Sequence, residues 1–336
     1  MGMLNTVLSR CEFQEFPPVL VDVGASSGLN PGWKALAKYS ICIAFDADDR
    51  EMASTRRASK VYRELYVYNR ALTSGPEGPS DFYLTQSPSC SSLLRPNHKK
   101  LSVWEYAERF RVCKKTSVQT VNFGTVLSEL KLGQVDWFKT DSQGTDLRLF
   151  LSLGSSVIQK LLVAEFEPGI IDAYEGEDKL WEVMRAMDER DFWMADIEIK
   201  GSNRINKAML DGFGRFEQTY MLHLLKVSPG WAEVLYLNSF TDAEGIFSMR
   251  DYLLGWVCAS LKERHGFALE LAVAGEERFE DAVFDTLKKY SLRRIRTSYA
   301  NVSGYFPLLI RALRKWKRLR TLQWFRPAEN QGSKFV

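Results

Sequence analysis

Asp22, Gly24, Gly28, Asp46 and Asp141 are the residues of this chain best suited by type and spacing to hold a nucleoside. The stretch VLVDVGASSG is a β-branched run carrying Asp22, followed by a turn of Gly24, Ala25, Ser26, Ser27 and Gly28. Glycines at such a turn let the backbone approach a ligand with no Cβ in the way. A second apolar run ends at Asp46, with Ala47 after it, and a carboxylate there is placed to accept hydrogen bonds from ribose hydroxyls. Strand, glycine turn, helix and acid-tipped strand together form a unit that holds a nucleoside-bearing cofactor at the carboxyl ends of parallel strands.

The turn is not the dinucleotide G-x-G-x-x-G. It reads G-x-x-x-G, has no third glycine, and no GK[ST] phosphate loop occurs in the chain. An acid beside the turn would repel a phosphate. The pattern suits S-adenosylmethionine, which carries a sulfonium and an amino group and no phosphate. A tight turn between a buried strand and a helix would explain the glycines, but not Asp22 and Asp46 together.

A second cluster, VDWFKTDSQGTDLRLF, ends an apolar strand at Asp141 and opens a helix at Gly144. In an open α/β sheet this sets Asp141 at a strand's carboxyl end, beside the Gly24–Gly28 turn. Hydrophobic periodicity predicts strands near 19–23, 41–45, 61–68, 117–121, 135–140, 161–166, 192–199 and 220–227. Helices are expected at 29–38, 48–58, 101–110, 123–131, 145–153 and 179–190, and residues 73–92 read as a Gly/Pro/Ser-rich loop. Alternating strands and helices followed by two neighbouring strands imply an α/β fold: a Rossmann-like, mostly parallel seven-stranded sheet with an antiparallel edge. The expected division is a cofactor domain over 1–227 and a mainly helical extension over 228–336, with helices at 250–264, 276–290 and 307–325. The last of these is basic and amphipathic. It reads either as a helix packed on the body or as a peripheral contact with the inner face of a membrane.

Composition, 45% hydrophobic and 26% charged over 336 residues, is that of a globular protein. A net charge of +3 does not call for nucleic acid as an obligate partner. Five scattered cysteines without a C-x-x-C pair argue against structural zinc and a disulfide framework, which points to a reducing, cytoplasmic setting. Three dispersed histidines make no metal cluster, and a divalent metal is not indicated.

At these residues the chain resembles the FkbM-type family of S-adenosylmethionine-dependent methyltransferases, over roughly residues 18–225. VDVGASSG resembles the family's cofactor loop, and FDAD stands where its acid follows the second strand. YNRALTS, with Asn69 and Ala71, resembles the stretch after the third strand. FKTDSQGTDLRLF resembles the K-x-D-x-x-G-x-E-x-x-x-L signature through Lys139, Asp141 and Gly144. Asp146 replaces the usual Glu, and Ser142-Gln143 stands at the signature's spacer acid. SPSCSSLLRPN resembles the family's serine-rich segment, and Glu165 tips the fifth strand.

The resemblance implies methyl transfer to a hydroxyl of a saccharide, a lipid-linked saccharide or a secondary metabolite. An alcohol acceptor needs a positioned base. Asp141 is the first candidate, with binding of the cofactor's amino group as its equal alternative. His98 and Glu165 are further catalytic candidates. Ser91, Ser92 and Glu167 are candidates for contact with the acceptor, the serines as part of a lid. A cofactor-binding module without catalysis and a nucleic-acid methyltransferase are the competing readings; the latter lacks an N/D-P-P-Y/F/W motif.

Overall fold

The computed structural model describes residues 2–25, 28–48, 60–241 and 245–303. Ser26, nearly all of the helix expected at 48–58 and the whole of that expected at 307–325 lie outside the described residues. The chain divides into two compact units between Arg264 and His265.

The first unit is built on a seven-stranded sheet. Its strands are β1 (Val19–Val23), β2 (Ile41–Phe45), β3 (Glu64–Tyr68), β7 (Trp137–Thr140), β8 (Val163–Phe166), β9 (Phe192–Ser202) and β10 (Ser228–Asn238), in the order β3-β2-β1-β7-β8-β10-β9. All neighbours are parallel except β10, which runs antiparallel to both β8 and β9. This is the mostly parallel α/β sheet with an antiparallel edge that the alternation of elements implies. The order reverses direction at β1 and β7, and a ligand crevice opens outside the carboxyl ends of the strands at such a switch point.

β1 and β2 are buried along their whole length, which is why they read as continuous apolar runs. Behind the sheet, Phe138, Phe150 and Phe166 pack edge to face or tilted, with centroids 6.0 and 5.2 Å apart. A second sheet of three strands, in the order β4-β6-β5, is formed by β4 (Ala71–Leu72), β5 (Gly78–Thr85) and β6 (Val112–Val121).

Several expected elements differ. Residues 29–38 form two 3₁₀ turns, Pro31–Trp33 and Ala37–Tyr39, because Pro31-Gly32 starts a turn that Asn30 caps through the Gly32 N–H and glycine then weakens. The expected loop 73–92 contains β5, whose alternating residues pair with a β6 longer than expected. Residues 101–110 are not one helix but a short turn, His98–Leu101, and a 3₁₀ segment, Glu105–Phe110. The strand expected at 220–227 is a helix, Arg215–Leu224, whose Glu217 carboxylate accepts the Gly214 N–H at its start. β10 begins only after it. The sheet therefore takes up Ser228–Asn238, and Met249–Leu261 also lies in the first unit, so the division falls well beyond residue 227.

A buried ion pair ties the helix Met249–Leu261 to the foot of the sheet. Arg250 Nη1 and Nη2 donate to the Asp136 carboxylate at 2.7 and 2.8 Å, and Arg250 Nε donates to the Phe16 carbonyl. Asp136 also accepts the Val19 N–H at 2.8 Å, so one carboxylate starts both β1 and β7.

The second unit, taken by itself, pairs the helices His265–Phe279 and Ala282–Ser303. The helix expected at 276–290 is thus broken, with Glu280 at φ 52°. Phe279 and Phe284 stack across the break with centroids 5.8 Å apart. Among the described residues no helix is long and apolar enough to cross a membrane.

Removing one partner of a buried pair strands the other charge. Arg250→Met is expected to lower the unfolding free energy by about 3–5 kcal/mol in urea titrations, and Asp136→Leu added to it to recover part of that loss.

Candidate active site

β1 and β7 leave the sheet side by side. The Asp141 N–H donates to the Val23 carbonyl at 2.9 Å, and the Gly24 N–H to the Phe45 carbonyl at 2.9 Å. Gly24 has φ +85°, and a Cβ there would lie 2.2 Å from the Asp141 carbonyl oxygen. Only glycine lets these two strand ends approach so closely. Three cavities meet at Asp141.

The first cavity lies over the ends of β1, β2 and β4. Gly24, Asp46, Ala47, Asp48, Arg70, Ala71, Leu72, Phe82, Ser91 and Asp141 are among its walls. Asp46 Oδ1 accepts the Asp48 N–H at 2.7 Å, which fixes the acid at the tip of β2. The second cavity, about 320 Å³, has aromatic walls of Tyr106, Phe110, Tyr174 and Trp231 and polar groups from Asp141, Gln143, Glu167, Glu177 and Arg109. Tyr106 stands edge-on to Trp231 at 6.2 Å, and Phe110 edge-on to Tyr174 at 5.6 Å. Ser89, Asp141 and Gln143 line both of these cavities. The third cavity borders Gly24, Gly28, Asn30, Lys139, Glu165 and Glu167.

Gln143 links the two sides. Its Nε2 donates to Asp141 Oδ1 at 2.5 Å, and its Oε1 accepts the Tyr174 hydroxyl at 2.8 Å. Its backbone sits at φ +58°, a conformation held by Ser92 Oγ, which donates to the Gln143 carbonyl at 2.8 Å. Asp146 acts as a clamp below: its carboxylate accepts Thr140 Oγ1, the N–H and Oγ of Ser142, and the Glu167 N–H. Burial pushes the Asp146 carboxyl up to about 6 against the pull of those donors.

The electrostatics centre on Lys139. Its Nζ lies 3.1 Å from Asp22 Oδ1. Burial by itself would lower the ammonium, but the carboxyls of Asp22, Asp141 and Glu167 more than reverse this and hold it charged. Burial raises the carboxyls of Asp22 and Asp141, with Lys139 opposing in each. Glu167 is pushed up to about 9, first by burial and then by the nearby Asp141. Burial therefore favours the protonated form of Glu167 at neutral pH and pushes the Asp141 carboxyl in the same direction, with Lys139 opposing in both.

The acids found in the sequence thus separate. Asp46, Ala47, Ala71 and Asp141 line the first cavity, together with Gly24 and Ser91. Asp22 does not line any of the three cavities: it is fully buried, with its oxygens taken by Lys139 and the Asn30 N–H. Ala25 is buried behind the turn, and Gly28 borders the third cavity. Asn69 and His98 are exposed and line none of these cavities, because Asn69 follows the edge strand β3 and His98 opens a short surface turn. Glu165 lies in the third cavity, accepting Trp137 Nε1 at 2.9 Å and paired with Lys262 at 2.8 Å. Glu167 lines the second and third cavities. Ser92 is buried and acts through Gln143. Sequence reasoning missed Gln143, Tyr174, Tyr106, Trp231 and Arg70. Only Gln143 had a local signal, its place inside the second cluster; the aromatic residues come from three separate segments. Among the described residues no group of His, Cys, Asp and Glu has metal-holding geometry.

No family model matches the chain, and no curated protein matches it. Solved structures that overlie it include precorrin-6y C5,15-methyltransferase from Geobacter metallireducens GS-15, at 10% identity over 70% of this chain and 87% of that one, TM-score 0.30. An uncharacterized protein from Listeria monocytogenes serotype 4b overlies it at 10% identity over 88% and 96% of the two chains, TM-score 0.30. StiE O-MT does so at 8% identity over 78% and 79%, TM-score 0.31.

A raised carboxyl pKa means the folded state keeps a proton that the unfolded chain has already lost. The stability from that proton is full below the ordinary value of 4.5 and is lost as pH rises through about 9. Glu167→Gln is expected to flatten this fall, by at most about 1.4 kcal/mol per pH unit, in urea titrations run across the window.

Proposed function

We propose that the chain is an S-adenosylmethionine-dependent methyltransferase of FkbM type, acting on a hydroxyl of a saccharide, a lipid-linked saccharide or a secondary metabolite. One observation carries the reading: Asp141 and Gln143 border both a cavity over the ends of β1 and β2 and a second, aromatic-walled cavity. A carboxylate at the boundary of two cavities can face one ligand on each side, which is what a group transfer between them requires.

The residues of the first cavity fit such a cofactor. Asp46 would hold the ribose hydroxyls, and the apolar surfaces of Ala71, Leu72, Phe82 and Leu149 suit a flat base. Gly24 keeps the floor free of a Cβ. When bound, the cofactor supplies a methyl group activated by a sulfonium.

The chain's own part is orientation and proton handling. Tyr106, Phe110, Tyr174 and Trp231 would exclude water from the acceptor and offer ring faces to it. Gln143 holds the Asp141 carboxylate in one orientation through Nε2. Asp141 would take the acceptor's hydroxyl proton at its remaining oxygen, Oδ2, and protonated Glu167 would donate a hydrogen bond to a neighbouring oxygen. Lys139 opposes the upward push of burial on the Asp141 carboxyl, which favours the form that can accept a proton.

Labelled S-adenosylmethionine incubated with the protein and fractionated cell extract should transfer label to a base-stable, hydroxyl-derived ether. Transfer to nucleic acid instead, or to nothing, refutes the proposal. Asp46→Ala is expected to raise the cofactor Kd by roughly 10–150-fold, the loss of hydrogen bonds to a charged partner worth about 1.5–3 kcal/mol, measured by calorimetry. Asp141→Asn is expected to lower kcat by about 10²–10⁴ with the cofactor Kd nearly unchanged. A weakened Kd with it would mark Asp141 as a cofactor ligand instead of the base.

A further inference from the structure

Between β9 and β10 the chain makes an excursion that the sheet does not need. Ser202 and Ser228 are register partners, so residues 203–227 leave and return at one point of the antiparallel pair. The excursion carries the helices Lys207–Leu210 and Arg215–Leu224. Its base is held by Asn203 Nδ2, which donates to the Leu222 carbonyl at 3.0 Å, and by the Glu105 N–H, which donates to the Asn203 carbonyl.

The helix Arg215–Leu224 has no buried residue. Phe216, Tyr220 and Leu224 recur every four residues and so share one face, and they are 82%, 60% and 68% exposed. Phe216 and Tyr220 stack at 6.2 Å with their rings 14° from parallel, forming a continuous apolar ridge. Met209, on the preceding helix, is also 62% exposed. A surface helix of a globular protein turns such a row inward. This one turns it outward.

The charges around the ridge indicate what it meets. Arg204, Lys207, Arg215 and Lys226 are exposed, and none is ion-paired to a described residue. The segment's two acids are Asp211 and Glu217, and Glu217 is occupied by the Gly214 N–H. An apolar row of Phe, Tyr and Leu on a segment that carries four unpaired bases against two acids is complementary to an anionic bilayer surface, apolar beneath and negative at the headgroups.

We infer that residues 203–227 dock the protein on a bilayer containing anionic phospholipid, with Phe216, Tyr220 and Leu224 as the inserted row. The strands that carry this hairpin end in Gly201, Ser202, Gly230 and Trp231, which line the aromatic cavity, so docking brings that cavity to the membrane surface. The inference does not depend on the chemistry proposed for the cavity.

The test is co-sedimentation of the full-length protein with vesicles of phosphatidylcholine alone and of phosphatidylcholine mixed with phosphatidylglycerol. The wild type is expected to partition onto the mixed vesicles and not the neutral ones, and Phe216→Glu/Leu224→Glu to lower the partition coefficient at least about ten-fold. Lys207→Glu/Arg215→Glu, which leaves the ridge intact, is expected to lower it as well. These side chains are exposed, so both variants should melt with the wild type. Binding by the ridge variant equal to wild type would assign attachment to bases elsewhere, including those of 307–325, and overturn the inference. So would equal binding to neutral vesicles, or no binding at all. Lipid-free self-association of the wild type, abolished in the ridge variant, would make the face an interface between copies and overturn it too.

Discussion

A single ammonium organises the carboxyl end of the sheet. Lys139 and Asp22 are register partners across β1 and β7, and on the other side Lys139 pairs in register with Glu165 of β8. Side chains at paired positions of neighbouring strands project to the same face. Parallel pairing therefore brings the cation against Asp22 and beneath Asp141 and Glu167. Three acids crowded in a desolvated space would repel one another and each take up a proton; Lys139 lets some of that charge remain. A change in register by one residue would turn Lys139 to the opposite face and dissolve the arrangement.

Around this charged centre the remaining elements act as walls. The small sheet of β4, β5 and β6 brings Ala71, Leu72 and Phe82 over the tips of β1 and β2. The serine-rich segment crosses between the cavities, and its hydroxyls are engaged with protein: Ser92 holds the Gln143 carbonyl, and Ser91 Oγ accepts the Thr85 N–H. That segment is a fixed partition more than an open loop. Gln143 completes it, since its strained backbone and two side-chain hydrogen bonds fix the one carboxylate that faces both cavities.

The readable parts of the fold were those whose burial is uniform. Val19–Val23, Ile41–Phe45, Trp137–Thr140 and Val163–Phe166 are inner strands of a sheet covered on both faces, and their apolar runs say so without ambiguity. Gly78–Thr85 was lost among Gly, Pro and Ser because its partner β6 is remote in sequence, and pairing is what makes it a strand. Residues 220–227 read as a strand because Tyr220, Leu222, Leu224, Leu225 and Val227 make a short apolar run, although 220–224 end a helix whose apolar row faces outward.

From its letters alone the chain determined which groups are available for chemistry and that Asp22, Asp46 and Asp141 sit near strand ends, because glycine turns and apolar runs leave little choice about where strands stop. Tertiary structure decided what each acid does. Asp22 and Asp46 look equivalent along the chain, yet one is sealed against Lys139 and the other opens on a cavity. Nor could the sequence draw Tyr106, Phe110, Tyr174 and Trp231 around one space, or show that both Asp141 and Glu167 are pushed toward their protonated forms. Both depend on which surfaces exclude water and which charges lie within a few ångströms, and those distances exist only once the strands have paired.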